Sequence, residues 1–306
     1  MKVSAIQVDG KLPNLALMKL AAWHRARGDH VSLEIDGTVD KAYISVIWPQ
    51  NRARALGIAK FFPNSEVEIG GSGFNYSVTL PDDIEHTMPA YDLWNIDYSM
   101  GFTSRGCIRN CGFCIVPRKE GRIRAHSPLE EFIHPDHDKV VLFDNNLLAA
   151  PNWRETLAGL IENGYKVDIN QGLDIRLVNE DNASMLADLR YYNSRWKYRT
   201  LRFAFDSMDV EEDVRRGVRV LNDAGVQFKH LVFYMLVGFN TTFEEDMARY
   251  RVLWEDLGVY PFVMVYNRST HSSPRLKAFG RWINRRIHKV SSWEDYTRNP
   301  DRVVVT

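Results

Sequence analysis

The sequence predicts an α/β protein, a small doubly wound sheet followed by a longer series of parallel strand–helix units. Three observations carry that reading. Short apolar runs alternate with stretches of helical spacing from residue 3 to residue 266, the rhythm of α/β folds. Several runs, Leu231–Val237 among them, are apolar throughout rather than at every second residue, which marks strands buried on both faces of a parallel sheet. Polar residues collect directly after the runs, at Asp144-Asn145-Asn146, from Asn170 to Arg176, at Asp206 and at Asn267-Arg268. The carboxyl ends of parallel strands are where such folds place their ligands.

In chain order, residues 3–8 read as the first strand, and Leu12-Pro13-Asn14 opens a helix. Its apolar positions Leu15, Met18, Ala22 and Trp23 recur at helical spacing, and Gly28 stops it. Residues 30–35 and 42–48 are two further strands, 51–61 a helix and 66–69 a short strand. The run Gly70-Gly71-Ser72-Gly73 lacks the G-x-G-x-x-G register, and residues 74–80 do not continue as a helix. It reads as a turn that brings backbone close to a neighbour or ligand, with a phosphate cradle as the alternative. Residues 1–80 thus form one small α/β domain, and 81–96, polar and punctuated by proline, read as a linker.

Six strands follow, at 96–102, 140–143, 165–169, 200–205, Leu231–Val237 and 262–266. The helices between them carry start signals: Asn152 with Glu155, a helix over 179–192, Asp209 with Glu212, and Thr242 with Glu245. From 275 to 289, Leu276, Phe279, Ile283 and Ile287 make one apolar stripe while Lys277, Arg281, Arg285 and Lys289 lie mostly elsewhere. That helix is expected to cap the open edge of the strand series. The core is bounded at 97–270, and 271–306 form a basic helix and tail.

All three cysteines fall in Cys107-Ile108-Arg109-Asn110-Cys111-Gly112-Phe113-Cys114, spaced C-x3-C-x2-C. Clustered thiolates repel one another unless a cation neutralises them, and one disulfide would leave a cysteine over. A structural zinc wants four protein ligands. A 4Fe–4S cluster held by three thiolates keeps one iron open for a non-protein ligand. The alternative is a zinc site completed by His126, His134 or His137, in a binding protein without catalysis.

With Phe113 before the last cysteine, the spacing resembles the signature of the radical SAM enzymes. The resemblance covers residues 97–270 and implies a partial (β/α)6 barrel with a 4Fe–4S cluster on Cys107, Cys111 and Cys114. It also implies S-adenosylmethionine (SAM) chelated at the open iron, its reductive cleavage to a 5′-deoxyadenosyl radical for C–H functionalisation, and a reducing partner such as flavodoxin or ferredoxin. Carried over by position, Asp144-Asn145-Asn146 stand where the superfamily commonly has Gly-Gly-Glu on the methionyl amino group. A departure from that triplet, they still offer acceptors to an ammonium. Arg176 takes the place of a clamp for the methionyl carboxylate, with an ion pair to Asp174 as the other reading. Asp206 corresponds to a ribose contact, or to a helix cap shared with Ser207. Gly238, Tyr266 and Asn267 correspond to the adenine side, Gly238 being equally a turn residue. Gln171 and Asp174 are left as substrate-side candidates or structural hydrogen-bonders. Methylthiotransferases resemble this core but need further cysteines for a second cluster.

The N-terminal domain resembles the cobalamin-binding-like domain that precedes many radical SAM cores. The match rests on Pro13-Asn14-Leu15-Ala16, on the stretch from Ala21 to Val31, and on Gly70-Gly71-Ser72-Gly73. The cobalt-ligating D-x-H-x-x-G is absent: after the first strand stands Asp9-Gly10-Lys11-Leu12-Pro13-Asn14. Asp9 and Lys11 suit cobalt badly, so cobalamin is disfavoured against a structural or substrate-covering lid.

Lysine plus arginine equal aspartate plus glutamate at 39 each, so no global field points to nucleic acid or a membrane. Few cysteines without disulfide spacing suit a reducing compartment. Gln7 and Asp9 interrupt the N-terminus too early for a signal peptide, and the apolar run 231–239 falls far short of the ~20 residues of a spanning helix. A soluble, cytoplasmic enzyme is expected. Between 105 and 124 stand six cations and one anion, either a solvated loop, an offset to the cluster's negative charge or a contact for an anionic substrate. Arg195-Trp196-Lys197-Tyr198-Arg199 interleaves cations with aromatics, as a solvated connection or as a surface that stacks bases. These basic stretches make a nucleotide or nucleic-acid base a candidate substrate beside other small molecules.

Overall fold

The computed structural model describes residues 1–267 and 273–298; Arg268 and the end of the expected tail lie outside the described residues. Among those described, the chain is mixed α/β with parallel sheets and ten α-helices. It divides into two compact units, the first made of Met1–Arg109 with Ile115–Phe143, the second of Asn110–Cys114 with the chain from Asp144 on.

The first unit begins with β1 (Lys2–Gln7), α1 (Leu15–Ala26), β2 (His30–Ser32), β3 (Lys41–Ser45), α2 (Arg52–Ala59) and β4 (Glu66–Gly70). The strands form one parallel sheet in the order β2-β1-β3-β4. Alternation along β1 builds both faces: Val3 and Ala5 pack with Leu17, Leu20 and Ala21 of α1, whereas Ile6 packs with Ala55 of α2. Asn14 starts α1, its side chain accepting the Leu17 N–H at 3.2 Å. The buried stripe of α1 is Leu17, Met18, Leu20, Ala21 and His24, turned from the expected Leu15–Trp23 stripe because the helix also packs against the segment after β4. That segment, 81–96, expected as a linker, is itself packed. It forms α3 (Asp82–Glu85) and buries Ile84 and Ala90 in the α1 cluster. Tyr91 donates to Phe132 O at 2.6 Å and accepts from Met100 N at 3.0 Å.

After that come β5 (Ser99–Gly101), β6 (Ser104–Arg105), α4 (Val116–Lys119), β7 (Arg124–Ala125) and β8 (Lys139–Leu142). β5 and β8 pair in parallel, while β6 and β7 form a short antiparallel ladder. The cysteine segment is therefore the long loop of a hairpin whose base is Ser104–Arg105 against Arg124–Ala125.

The second unit contains α5 (Trp153–Glu162), β9 (Lys166–Ile169), α6 (Glu180–Asp188), β10 (Arg190–Tyr191), β11 (Leu201–Ala204), α7 (Glu211–Asp223), β12 (Leu231–Val237), α8 (Phe243–Arg251), β13 (Tyr260–Val265), α9 (Pro274–Asn284) and α10 (Trp293–Arg298). β9 pairs in parallel with β10, and β11-β12-β13 form a parallel sheet. The capping box of Thr242 and Glu245 forms as the sequence predicts, and Asn179 with Asn182 forms another. The expected boxes at Asn152–Glu155 and Asp209–Glu212 do not. Asn152, at φ −104° and ψ 18°, lacks the extended geometry that lets a cap side chain reach back. Before α7 an extra 3-10 turn over Met208–Val210 intervenes, and Ser207 caps that turn instead.

On α9, Phe279 and Ile283 are buried, as is Ile287 beyond its end. Asn284 answers the edge of β13: its Oδ1 accepts from Val263 N and its Nδ2 donates to Val263 O, both at 2.8 Å. An unpaired strand edge invites foreign strands, and this carboxamide occupies part of it. Among the described residues no helix is long and apolar enough to cross a membrane.

Candidate functional site

The base of the cysteine hairpin is fixed by charge. Arg105 of β6 reaches Glu85 of α3 at 2.5 Å and Glu120 at 3.2 Å, and its Nε donates to His126 Nε2 at 3.0 Å. Lys19 of α1 joins Glu85 at 2.9 Å. Burial alone would raise the Glu85 carboxyl, but the His126 contact and the Arg105 and Lys19 charges outweigh it and hold the group well below the usual range. Several of the loop's cations thus have partners at home. Arg124 donates to Glu120 O at 2.6 Å, and Lys119 lies 3.3 Å from the Glu120 carboxylate. The histidines weighed as zinc ligands are engaged as well: His126 with Arg105 and Glu85, His137 with Ser99 Oγ at 2.9 Å, and His134 ring to ring with His137 at 5.0 Å.

Above that base, the Cys107 N–H donates to Gly121 O at 3.2 Å, and Cys107 Sγ accepts the Arg109 N–H at 3.3 Å. Cys107 belongs to the first unit, Cys111 and Cys114 to the second. A turn joins the latter two, the Cys114 N–H donating to Cys111 O at 3.0 Å. All three thiols are half-buried and none forms a disulfide. As the side chains stand, no group of three or more His, Cys, Asp or Glu among the described residues could hold a metal ion.

The second unit gathers several predicted residues near Cys111 and Cys114. The Phe113 ring meets Phe239, just beyond β12, at 5.7 Å, and Phe239 meets Tyr266, just beyond β13, at 4.9 Å. The Tyr266 N–H donates to Val237 O at 2.9 Å, locking these strand ends side by side. Between them Gly238 has φ +78°, a turn that calls for glycine, and it packs toward the Leu276 side chain of α9. Asn267 follows with φ 43°.

Arg176 and Asp174 form a two-pronged pair, Nε to Oδ1 at 2.6 Å and Nη2 to Oδ2 at 3.0 Å. Burial opposes the Arg176 charge, but Asp174 overcomes it and Cys111 adds to the same effect, so the guanidinium lies within electrostatic reach of the cysteine loop. Asp206 accepts the Leu236 N–H at 2.7 Å. Burial raises its carboxyl above the usual value, against the opposing pull of that N–H, Arg249 and Arg176. Asp144 and Asn146 are buried and Asn145 half-buried. Gln171 is exposed, its Nε2 3.3 Å from Asn170 Oδ1.

Two features escaped sequence reading. Phe239 is the hinge of the aromatic group, and its signal was its place one residue after Gly238. Arg249 of α8 is wholly buried, donating to Phe205 O at 2.6 Å and Leu236 O at 2.9 Å while pairing with Asp246. It clamps the ends of β11 and β12 around Asp206, and sequence marks it only as one more helix cation.

In the N-terminal sheet, Asp9 is fully engaged by its own chain. Its carboxylate accepts Ile47 N at 2.7 Å, Trp48 N at 3.1 Å and Asn51 Nδ2 at 2.8 Å. The glycine run after β4 serves close backbone approach: a Cβ on Gly73 would stand 2.7 Å from the Trp48 backbone, and the Gly73 N–H donates to Val46 O at 2.9 Å. The neighbour it approaches is the end of β3. No protein-family model and no curated protein matches this chain.

Proposed function

We propose that the chain is a radical SAM enzyme whose core is a partial (β/α)6 barrel, acting on a small-molecule or nucleotide substrate with electrons from a flavodoxin- or ferredoxin-like partner. One observation carries the reading. The C-x3-C-x2-C loop holds every cysteine of the chain, and its Phe113 packs on the carboxyl ends of parallel strands β12 and β13 through Phe239 and Tyr266. Carboxyl strand ends are the ligand side of such sheets. The donor set suits a 4Fe–4S cluster: three thiols without disulfides, and a backbone N–H already directed at Cys107 Sγ. When bound, the cluster would offer an open iron to SAM and the electron that cleaves it to the 5′-deoxyadenosyl radical.

The chain's own residues then bind and orient. Arg176 offers a guanidinium to the methionyl carboxylate, in competition with Asp174. Asp144, Asn145 and Asn146 offer acceptors to the amino group. Asp206, held by the Leu236 N–H, stands for the ribose hydroxyls, and Gly238, Tyr266 and Asn267 for the adenine. The raised Asp206 carboxyl is consistent with a group that gains from hydrogen-bond donors in a dry site.

Anaerobic reconstitution with iron and sulfide, followed by assay for 5′-deoxyadenosine from SAM under a chemical reductant, tests the proposal. About four irons per chain with SAM cleavage is the expected result. One zinc per chain, or iron without SAM cleavage, removes it in favour of a metal-stabilised binding protein.

A further inference from the structure

Parallel sheets in α/β proteins are ordinarily covered on both faces, and at its β13 side the β11-β12-β13 sheet is not. On one face Phe203, Phe233, Met235, Val237 and Val263 are buried. On the other, strand residues of the opposite parity stay accessible: Phe262 is 42% exposed and Met264 39%, beside half-buried Tyr234 and Leu236. Register makes these one surface, since Tyr234 pairs with Phe262 and Leu236 with Met264 on adjacent strands. The Tyr234 and Phe262 rings meet edge to face at 5.7 Å.

The surface has a defined polarity. The one charged side chain that these strands place on it, Arg202, is paired with fully buried Asp168 and also donates to Ile169 O at 3.1 Å. Arg202 therefore adds no net charge beside Phe262 and Met264, while Arg286 and Lys289 stand over the ring of Tyr260 at the start of β13. At one margin runs the segment Asn170-Gln171-Gly172: a Cβ on Gly172 would stand 3.5 Å from the Tyr234 ring. The Tyr234 hydroxyl lies 3.5 Å from Asn170 O; the Asn170 carboxamide is held by Asp168 and Gln171, and the carboxamide of Gln171 is exposed on this segment.

We propose that this face seats the substrate and that the part seated is an uncharged, planar heteroaromatic ring, a nucleobase carried on a nucleoside-sized molecule. Ring faces stack on aromatic and thioether side chains, and carboxamides pair with base edges through adjacent donor and acceptor atoms. A polynucleotide fits less well, because phosphates call for unpaired cations and the platform's own cation is neutralised. This assignment rests on the radical SAM reading for its role as substrate, though not for the binding itself.

The test is calorimetric titration of the intact chain with guanosine, cytidine and uridine, each repeated with saturating SAM present. Adenosine is left out because SAM carries the same base. At least one nucleoside is expected to bind, to remain bound beside SAM, and to bind about tenfold more weakly to Phe262→Ala. Gln171→Ala is expected to shift the order of preference among the three. Phe262 and Met264 are both accessible, so Met264→Ala serves as a second variant should Phe262→Ala fail to fold. Three outcomes overturn the assignment: no binding by any of the three, binding unmoved by both variants, or binding tightened tenfold or more by a 5′-phosphate. Nucleoside binding without SAM cleavage would leave the site standing and remove the radical SAM reading; cleavage without nucleoside binding would do the reverse.

Discussion

Two of the parallel sheets among the described residues, β2-β1-β3-β4 and β11-β12-β13, treat their carboxyl strand ends in opposite ways. In β2-β1-β3-β4 those ends are tied off by the chain itself. Asp9 takes the amides of Ile47 and Trp48, Asn14 Nδ2 donates to Ser45 Oγ at 2.8 Å, and Gly73 lies against the Trp48 backbone. In β11-β12-β13 the ends carry Asp206, Phe239 and Tyr266, and a whole face carries accessible Phe262 and Met264. Topology alone nominates both sheets for ligands. What separates them is where apolar side chains stay accessible: on the strands themselves, Phe262 and Met264 of β13 do.

The largest expected effect falls on the cysteine loop. Cys107→Ala, Cys111→Ala or Cys114→Ala should each abolish a stable cluster, measured as iron and sulfide content after reconstitution. A single variant that kept full iron and SAM cleavage would sink the assignment, since three thiolates leave none to spare.

Next in size is the support beneath that loop. Glu85→Gln leaves Lys19 and Arg105 buried without their shared carboxylate, and breaking a buried pair from one side costs about 3–5 kcal/mol. The sign follows from the shift. The Glu85 carboxyl is depressed in the fold, so its stabilisation is complete above the ordinary glutamate value of 4.5 and is lost as pH falls toward the lower folded value. Denaturant melts of wild type and variant should therefore differ most near neutrality and converge in acid. A difference independent of pH would mean that the carboxylate is not the group responsible.

Much of this was legible in the residues. Leu231–Val237 matches its predicted bounds, because seven apolar residues between turn signals admit few other readings. The Thr242–Glu245 box formed because the pattern specifies its own geometry. The packing of 81–96 was not legible: Ile84, Ala90 and Tyr91 are too sparse to make a period, and the burial of Ile84 and Ala90 depends on α1 arriving from a distant part of the chain. Arg249 was hidden for a related reason. A cation in a helix reads as solvated until the fold supplies the Phe205 and Leu236 carbonyls around it. In the site, the ion pair of Arg176 with Asp174 was one of the two readings the sequence offered, and the two-pronged geometry shows it.

A smaller effect tests the closed sheet directly. Asp9→Ala removes charge-assisted acceptors from two backbone amides, at about 1.5–3 kcal/mol, and should lower the melting temperature without changing SAM affinity. Because Asp9 is so engaged, hydroxocobalamin added to anaerobic protein is expected to show no stoichiometric uptake. A visible spectrum with histidine ligation would overturn the argument drawn from Asp9 to Asn14. Elsewhere in the second unit, Arg176→Ala and Asp144→Ala should weaken SAM binding about ten- to a hundredfold with iron content unchanged. Asp174→Asn frees the guanidinium and should tighten binding. Unchanged affinity in both alanine variants would remove these residues from the site.

The finest test concerns how the open sheet survives with an uncovered face and an outer strand. Asn284 supplies both partners of the Val263 backbone, as a neighbouring strand would. Val263 lies between Phe262 and Met264, so the carboxamide holds straight the stretch of β13 that presents the exposed platform. Asn284→Ala leaves one N–H and one C=O to water at a partly buried edge, a loss of about 1–2 kcal/mol, and removes a guard against strand addition. Three measurements should move together: a lower melting temperature, faster amide exchange at Val263, and weaker binding of whichever nucleoside the wild type takes. Asn284→Asp keeps the acceptor for the Val263 N–H but turns the donor into a second acceptor facing the Val263 carbonyl, so it should behave like alanine or worse. If both variants melt normally while amide exchange at Val263 stays slow, the edge of β13 is held by packing from Phe279 and Ile283 alone, and the open sheet needs no hydrogen-bonded guard.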